Sequence, residues 1–77
     1  MPVNIDVLSS EIKRHRKIAG LSQKSLAEMA GVGKTVVFDL EKGKQTVKME
    51  TILKVLAVLN LKLQLRSPLA DQKIIDL

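Results

Sequence analysis

Most of the side chains in this sequence that can do chemistry are cationic. Lys13, Arg14, Arg16 and Lys17 fall within five positions, and Lys42, Lys44 and Lys48 follow one another with no acid between them. Thirteen Lys and Arg against eight Asp and Glu give a formal net charge of +5, of which residues 1–48 hold +4. Cationic donors grouped in this way suit a polyanion: nucleic acid first, an anionic membrane surface second. The plainer alternative is a solvated face that keeps the chain in solution. Other chemistry is poorly supplied. Without Cys there is no thiol nucleophile, thiolate ligand or disulfide. The lone His15 has no Cys or carboxylate cluster with which to hold a metal, and no Gly-x-x-x-x-Gly-Lys loop or pair of cleft carboxylates is present. The expectation is therefore no catalytic residue, no metal, no cofactor and no enzyme.

Small aliphatic elements must position these groups. Seventy-seven residues suit a single small domain that buries about 60% of its unfolded surface, so self-association is an expected further source of stability. Phe38 is the one aromatic residue, and 45% apolar with 27% charged residues is a globular composition. The longest apolar run, Val55 to Leu59, falls far short of the ~20 residues that span a bilayer. No basic-then-apolar leader opens the chain. A soluble, cytoplasmic protein with no membrane partner is the corresponding expectation.

Apolar spacing predicts four helices. Leu8, Ile12, His15 and Ala19 make one stripe over 7–19, with Lys13 and Lys17 opposite and Gly20 as the stop. His15 on that stripe reads as a partly buried neutral histidine. Ser22 can cap a helix over 23–29 that buries Leu26, Ala27 and Ala30, and Gly31 ends it with positive φ. A third helix over 34–42 turns Val36, Val37 and Leu40 inward. A fourth carries Met49, Ile52, Leu53, Leu56 and Leu59 and can end on a left-handed Asn60. Leu61, Leu63 and Leu65 then alternate with Lys62, Gln64 and Arg66, which predicts a strand over 61–66; a fifth helical turn is the alternative. Residues 67–77 read as a flexible tail, with Ile74, Ile75 and Leu77 either as anchors for a partner or a protease or as part of a segment disordered without a role.

Leu26, Ala27, Gly31, Val32, Val37 and Leu40 follow the order of a helix-turn-helix: a small residue where helices cross, a glycine at the turn, apolar pins on the second helix. Gly20-Leu21-Ser22-Gln23, Leu26-Ala27, Ala30-Gly31-Val32 and Leu40-Glu41-Lys42-Gly43-Lys44 resemble the Cro/C1-type helix-turn-helix DNA-binding domains, through Leu65. Val47-Lys48, Thr51-Ile52-Leu53-Lys54-Val55-Leu56 and the leucine-alternating strand look most like antitoxins of HipB type, which pair with a HipA-type serine/threonine kinase toxin. The resemblance implies a mostly α fold: a four- to five-helix, lambda repressor-like domain over 1–66, with a short C-terminal strand pairing across a homodimer. It also implies a structural salt bridge between Arg16 and Glu41, and Gln23 as a phosphate contact. Two positions depart from the family: Ser25 stands where Glu often closes a capping box, and Lys48 where Ser or Thr often caps the fourth helix, leaving Thr46 as a substitute cap.

A helix-turn-helix presents the N-terminal part of its second helix to the major groove. On the third helix Lys34, Thr35 and Phe38 lie opposite the apolar side. Lys34 can donate to guanine, Thr35 can meet a base edge, and Gly33 can offer its amide or simply close approach. Phe38 either touches a thymine methyl or the sugar-phosphate edge, or folds back as a core plug. Gln23 and Lys24 at the second helix, with Lys42 and Lys44, complete the expected DNA contacts, and Lys48 adds attraction beside them. Expected dimerisation residues are Val55 and Val58, off the core stripe, with Leu61, Leu63 and Leu65, whose strand has no partner elsewhere in the sequence. The functional expectation is a nucleoid-associated repressor that binds double-stranded operator DNA as a homodimer and neutralises a HipA-type kinase. The alternative is a stand-alone phage- or restriction-modification-type regulator.

Overall fold

The computed structural model describes residues 4–66 and 74–76. Four helices, α1 (Ile5–Ile18), α2 (Gln23–Ala30), α3 (Lys34–Glu41) and α4 (Met49–Val58), precede strands β1 (Gln64–Arg66) and β2 (Ile74–Asp76). The start of α1 lies two residues ahead of the expected one because Asn4 caps it: its side chain accepts from the Val7 amide at 2.9 Å, and its carbonyl from the Leu8 amide at 3.1 Å. Such a cap gathers amides that have no partner within the helix. All four helices end alike. Gly20, Gly31, Gly43 and Asn60 take φ of 72°, 71°, 82° and 60°. The next amide then reaches back five residues, Leu21 to Arg16, Val32 to Ala27, Lys44 to Asp39 and Leu61 to Leu56, at 2.9–3.1 Å. These turns gather the last carbonyls of each helix. Gly31 and Asn60 behave as their types predict.

The core is aliphatic: Ile12 of α1, Leu26 and Ala27 of α2, Val37 and Leu40 of α3, and Ile52, Val55, Leu56 and Leu59 of and just after α4. Two faces differ from expectation. On α1 the buried positions are Ser9, Ile12 and Arg16, while Ala19 is exposed; His15 is half-buried, as expected. The stripe is turned because Arg16 is drawn inside by a carboxylate partner and Ser9 donates its hydroxyl to the Ile5 carbonyl at 2.6 Å. On α4, Met49 is 54% exposed and Leu53 half-buried, whereas Val55 is fully buried. Residues 52–59 are apolar at all but one position, so two stripes were equally available, and packing chose 52, 55, 56 and 59. Val55 consequently has no surface to offer a second subunit, which corrects its assignment to a dimer interface.

The C-terminal strand is also corrected. Leu61 closes the end of α4, so its amide cannot enter a ladder, and Leu61 and Leu63 pack half-buried against the core. The strand is confined to Gln64–Arg66 and pairs antiparallel with Ile74–Asp76 of the same chain, in the register Gln64↔Asp76, Leu65↔Ile75, Arg66↔Ile74. A second strand was therefore available in the sequence, in the β-branched pair Ile74-Ile75. The rest of the expected tail, 67–73 and 77, lies outside the described residues, as does the side chain of Leu65. No helix among the described residues is long and apolar enough to cross a membrane.

Candidate nucleic-acid interface

The first residues of α3 are exposed, while its far end is held tightly. Arg16 of α1 donates from Nε to Glu41 Oε2 at 2.6 Å and from Nη2 to Oε1 at 3.0 Å, with side-chain exposures of 11% and 3%. Its remaining terminal nitrogen donates to the Leu21 carbonyl at 2.8 Å, and Gln23 Nε2 of α2 donates to Glu41 Oε1 at 3.2 Å. One carboxylate thus gathers the end of α1, the start of α2 and the end of α3. The hydrogen bond to Glu41 raises the Arg16 pKa above its ordinary value; burial opposes this, and the charge of Glu41 reinforces it. No buried side-chain nitrogen or oxygen among the described residues lacks a partner, as a polar cluster in a low-dielectric interior requires.

The turn between α2 and α3 sets their angle. Leu26 and Ala27 meet Val37 and Leu40 in the core, and Val32 packs beside them. Gly33 caps α3 without a side-chain hydrogen bond, at φ −74° and ψ 148°. A Cβ built there would meet only Val36 Cγ2 at 4.0 Å. Nothing in the fold asks for glycine at this position, whereas a surface arriving from outside would find an unobstructed helix start. Ser22 caps α2 by accepting from the Ser25 amide at 2.9 Å, and its hydroxyl donates to the Ser25 hydroxyl at 3.0 Å. The Ser25 departure leaves this cap intact. The Lys48 departure does not: α4 starts without any side-chain cap, so Thr46 is no substitute.

Lys34, Thr35 and Phe38 are exposed together on α3, with Lys24 and Gly33 exposed nearby in sequence. Phe38 is 44% exposed, which excludes the core-plug reading. Lys42 Nζ stands 4.7 Å from the Phe38 ring centroid, and Lys44 pairs with Asp39 at 3.5 Å. The basic cluster of α1 is dispersed: Arg16 turns inward, Arg14 pairs with Glu11 at 3.2 Å, and Lys13 and Lys17 remain exposed. His15 Nδ1 lies 2.8 Å from the Glu11 carbonyl and 3.3 Å from its carboxylate. Sequence reasoning missed the Gln23–Glu41 bond, for which no local signal exists. It also missed the Phe38–Lys42 stacking, although the four-residue spacing on a helix was a sufficient signal.

Comparison with known proteins places the chain in a recognisable group. The helix-turn-helix family matches residues 12–65, more than half of the chain. A chain from the DNA complex of SinR, the master regulator for biofilm formation, is 38% identical, over 70% of this chain and 87% of that one, with a TM-score of 0.62. A chain from a HipB–O4 20mer complex and one from the HipA–HipB–O2–O3 complex are each 22% identical, over 88% of this chain and 96% of theirs, with TM-scores of 0.77 and 0.78. At that identity the shared property is the fold. No curated protein sequence gives a significant match.

Proposed function

We propose, from the premise that this chain belongs to the Cro/C1-type helix-turn-helix family of DNA-binding regulators, that it is a dimeric operator-binding repressor and the antitoxin of a HipA-type kinase toxin. The observation that carries the DNA role is the Lys34–Thr35–Phe38 face of α3, exposed at one end of a helix whose other end is tied through Glu41 to α1 and α2. In this reading Lys34 and Thr35 address base edges. Gln23, Lys24, Lys42 and Lys44 face phosphates, and the exposed amide end at Gly33 admits the backbone. With its side-chain amide nitrogen donating to Glu41, Gln23 meets a phosphate through its backbone amide at the start of α2.

The antitoxin reading is supported by the reach of the likeness. The HipB chains align over 88% of the chain, whereas the SinR chain aligns over 70%. Association of two subunits is supported by the C-terminus: a sheet of two three-residue strands is marginal in water unless more strands join it. We assign the contact between subunits to Leu65 of the sheet together with the half-buried side chains of Val58, Leu61 and Leu63 outside it. The stand-alone regulator is the second reading, favoured by the higher identity to SinR. Fluorescence anisotropy on duplex DNA tests the first claim. If two subunits neutralise about six to ten phosphates, affinity falls ~10³- to 10⁵-fold between 50 and 200 mM salt; an affinity indifferent to salt refutes the assignment. Recovery of a kinase with the tagged protein from its own cells separates antitoxin from lone regulator.

A further inference from the structure

We propose that Phe38 and Lys42 act as one reading unit, in which the Phe38 ring, steadied on one face by the Lys42 ammonium, receives the C5-methyl of a thymine in the major groove. This rests on the reading of α3 as the recognition helix and names a group that α3 reads.

Phe38 is the one aromatic residue of the chain, and it is not spent on the core. It lies one helical turn after Lys34 and one before Lys42, so an apolar ring stands between two cations on the exposed side of α3. An exposed ring in that company is unfavourable until another surface covers it. The major groove presents donors, acceptors and one kind of apolar group, the thymine methyl. Charge complementarity sets the rest of the contact: lysines on both sides suit a groove walled by phosphates. Lys42 Nζ, 4.7 Å from the ring centroid, is within the distance at which a cation is attracted to an aromatic face. It occupies one face of the ring and restrains its rotation. With Phe38 44% exposed, part of the ring stays available. Lys42 is thus a positioning residue for Phe38 as well as a source of charge.

The test uses the full chain and a duplex that it enriches from a randomised pool. Thymine is replaced by deoxyuridine one position at a time, which removes only the methyl. One position is expected to lose about fourfold in affinity per half-site, and about fifteenfold when both half-sites are changed, the loss for one unburied carbon. In Phe38→Ala the thymine-over-uracil ratio at that position falls below about twofold, and circular dichroism at the binding temperature confirms that the variant is folded. Should Phe38→Ala not fold, Phe38→Gln, a good helix former of greater length that has no ring, serves. In Lys42→Met the ratio falls together with overall affinity, whereas Lys34→Met weakens binding and leaves the ratio intact. The inference is overturned if every deoxyuridine duplex binds like its parent, if the ratio survives removal of Phe38, or if Lys34→Met and Lys42→Met affect it equally. In the first two cases Phe38 does not read a methyl and lies against the sugar-phosphate edge; in the third it does not depend on Lys42 for its position. Failure of the recognition-helix reading looks different: no duplex is enriched, or Lys34→Ala enriches the same motif as the unaltered protein.

Discussion

At the scale of single residues, the carboxylate of Glu41 has the largest structural consequence. It accepts from Arg16 and Gln23 while 3% exposed, so removing it leaves a buried guanidinium unpaired. Glu41→Gln is expected to cost about 3–5 kcal/mol, which in a domain of this size lowers the melting temperature by about 4–8 °C per kcal/mol; thermal unfolding by circular dichroism measures it. Exchanging both partners for apolar residues, Arg16→Met with Glu41→Leu, is expected to be far milder, because no buried charge remains. A double exchange as damaging as Glu41→Gln alone would show that the pair stabilises by more than mutual neutralisation. On the exposed side, Lys34→Ala is expected to lose about 1–3 kcal/mol of operator binding and to relax preference at one base pair. The Arg16–Glu41 pair could be anticipated through family resemblance alone. Its other partners, the Leu21 carbonyl and Gln23, could not, since they converge only when three helices are already packed.

At the scale of elements, what was readable is the chemistry of helix ends. Ser22, Gly20, Gly31 and Asn60 each mark a boundary within a residue or so of the observed one, because caps act on their own backbone and need no tertiary partner. Helix faces were harder. The α4 sequence is apolar nearly all round, and burial of Val55 instead of Met49 was settled by packing into the shared core. β2 escaped notice because its three residues gain meaning only beside β1. Two variants test the ends. Lys48 caps α4 with no side-chain acceptor, so Lys48→Asp is expected to stabilise by about 1 kcal/mol. It also removes a cation beside the interface, lowering the salt slope of DNA binding by about 1 per subunit. Asn60, at φ 60°, is expected to tolerate Gly and to lose about 1 kcal/mol as Ala, which meets the steric penalty of left-handed backbone without a side-chain acceptor to offset it. Equal melting temperatures for Asn60→Gly and Asn60→Ala would contradict this.

At the scale of the whole molecule, a rigid scaffold presents one short helix, and a single such helix addresses too few base pairs for specificity. Two copies on a two-fold axis address two half-sites one helical turn apart. Sedimentation equilibrium is expected to give twice the 8.5 kDa chain mass. The most direct check of α3 as the reader of DNA is enrichment of bound duplexes from a randomised pool at 150 mM salt, with the unaltered protein and Lys34→Ala side by side. An inverted repeat with centres 10–10.5 base pairs apart, blurred at one position per half-site by Lys34→Ala, is the expected outcome. A pool that stays random, or a motif identical for both proteins, would mean that this face of α3 does not read the duplex.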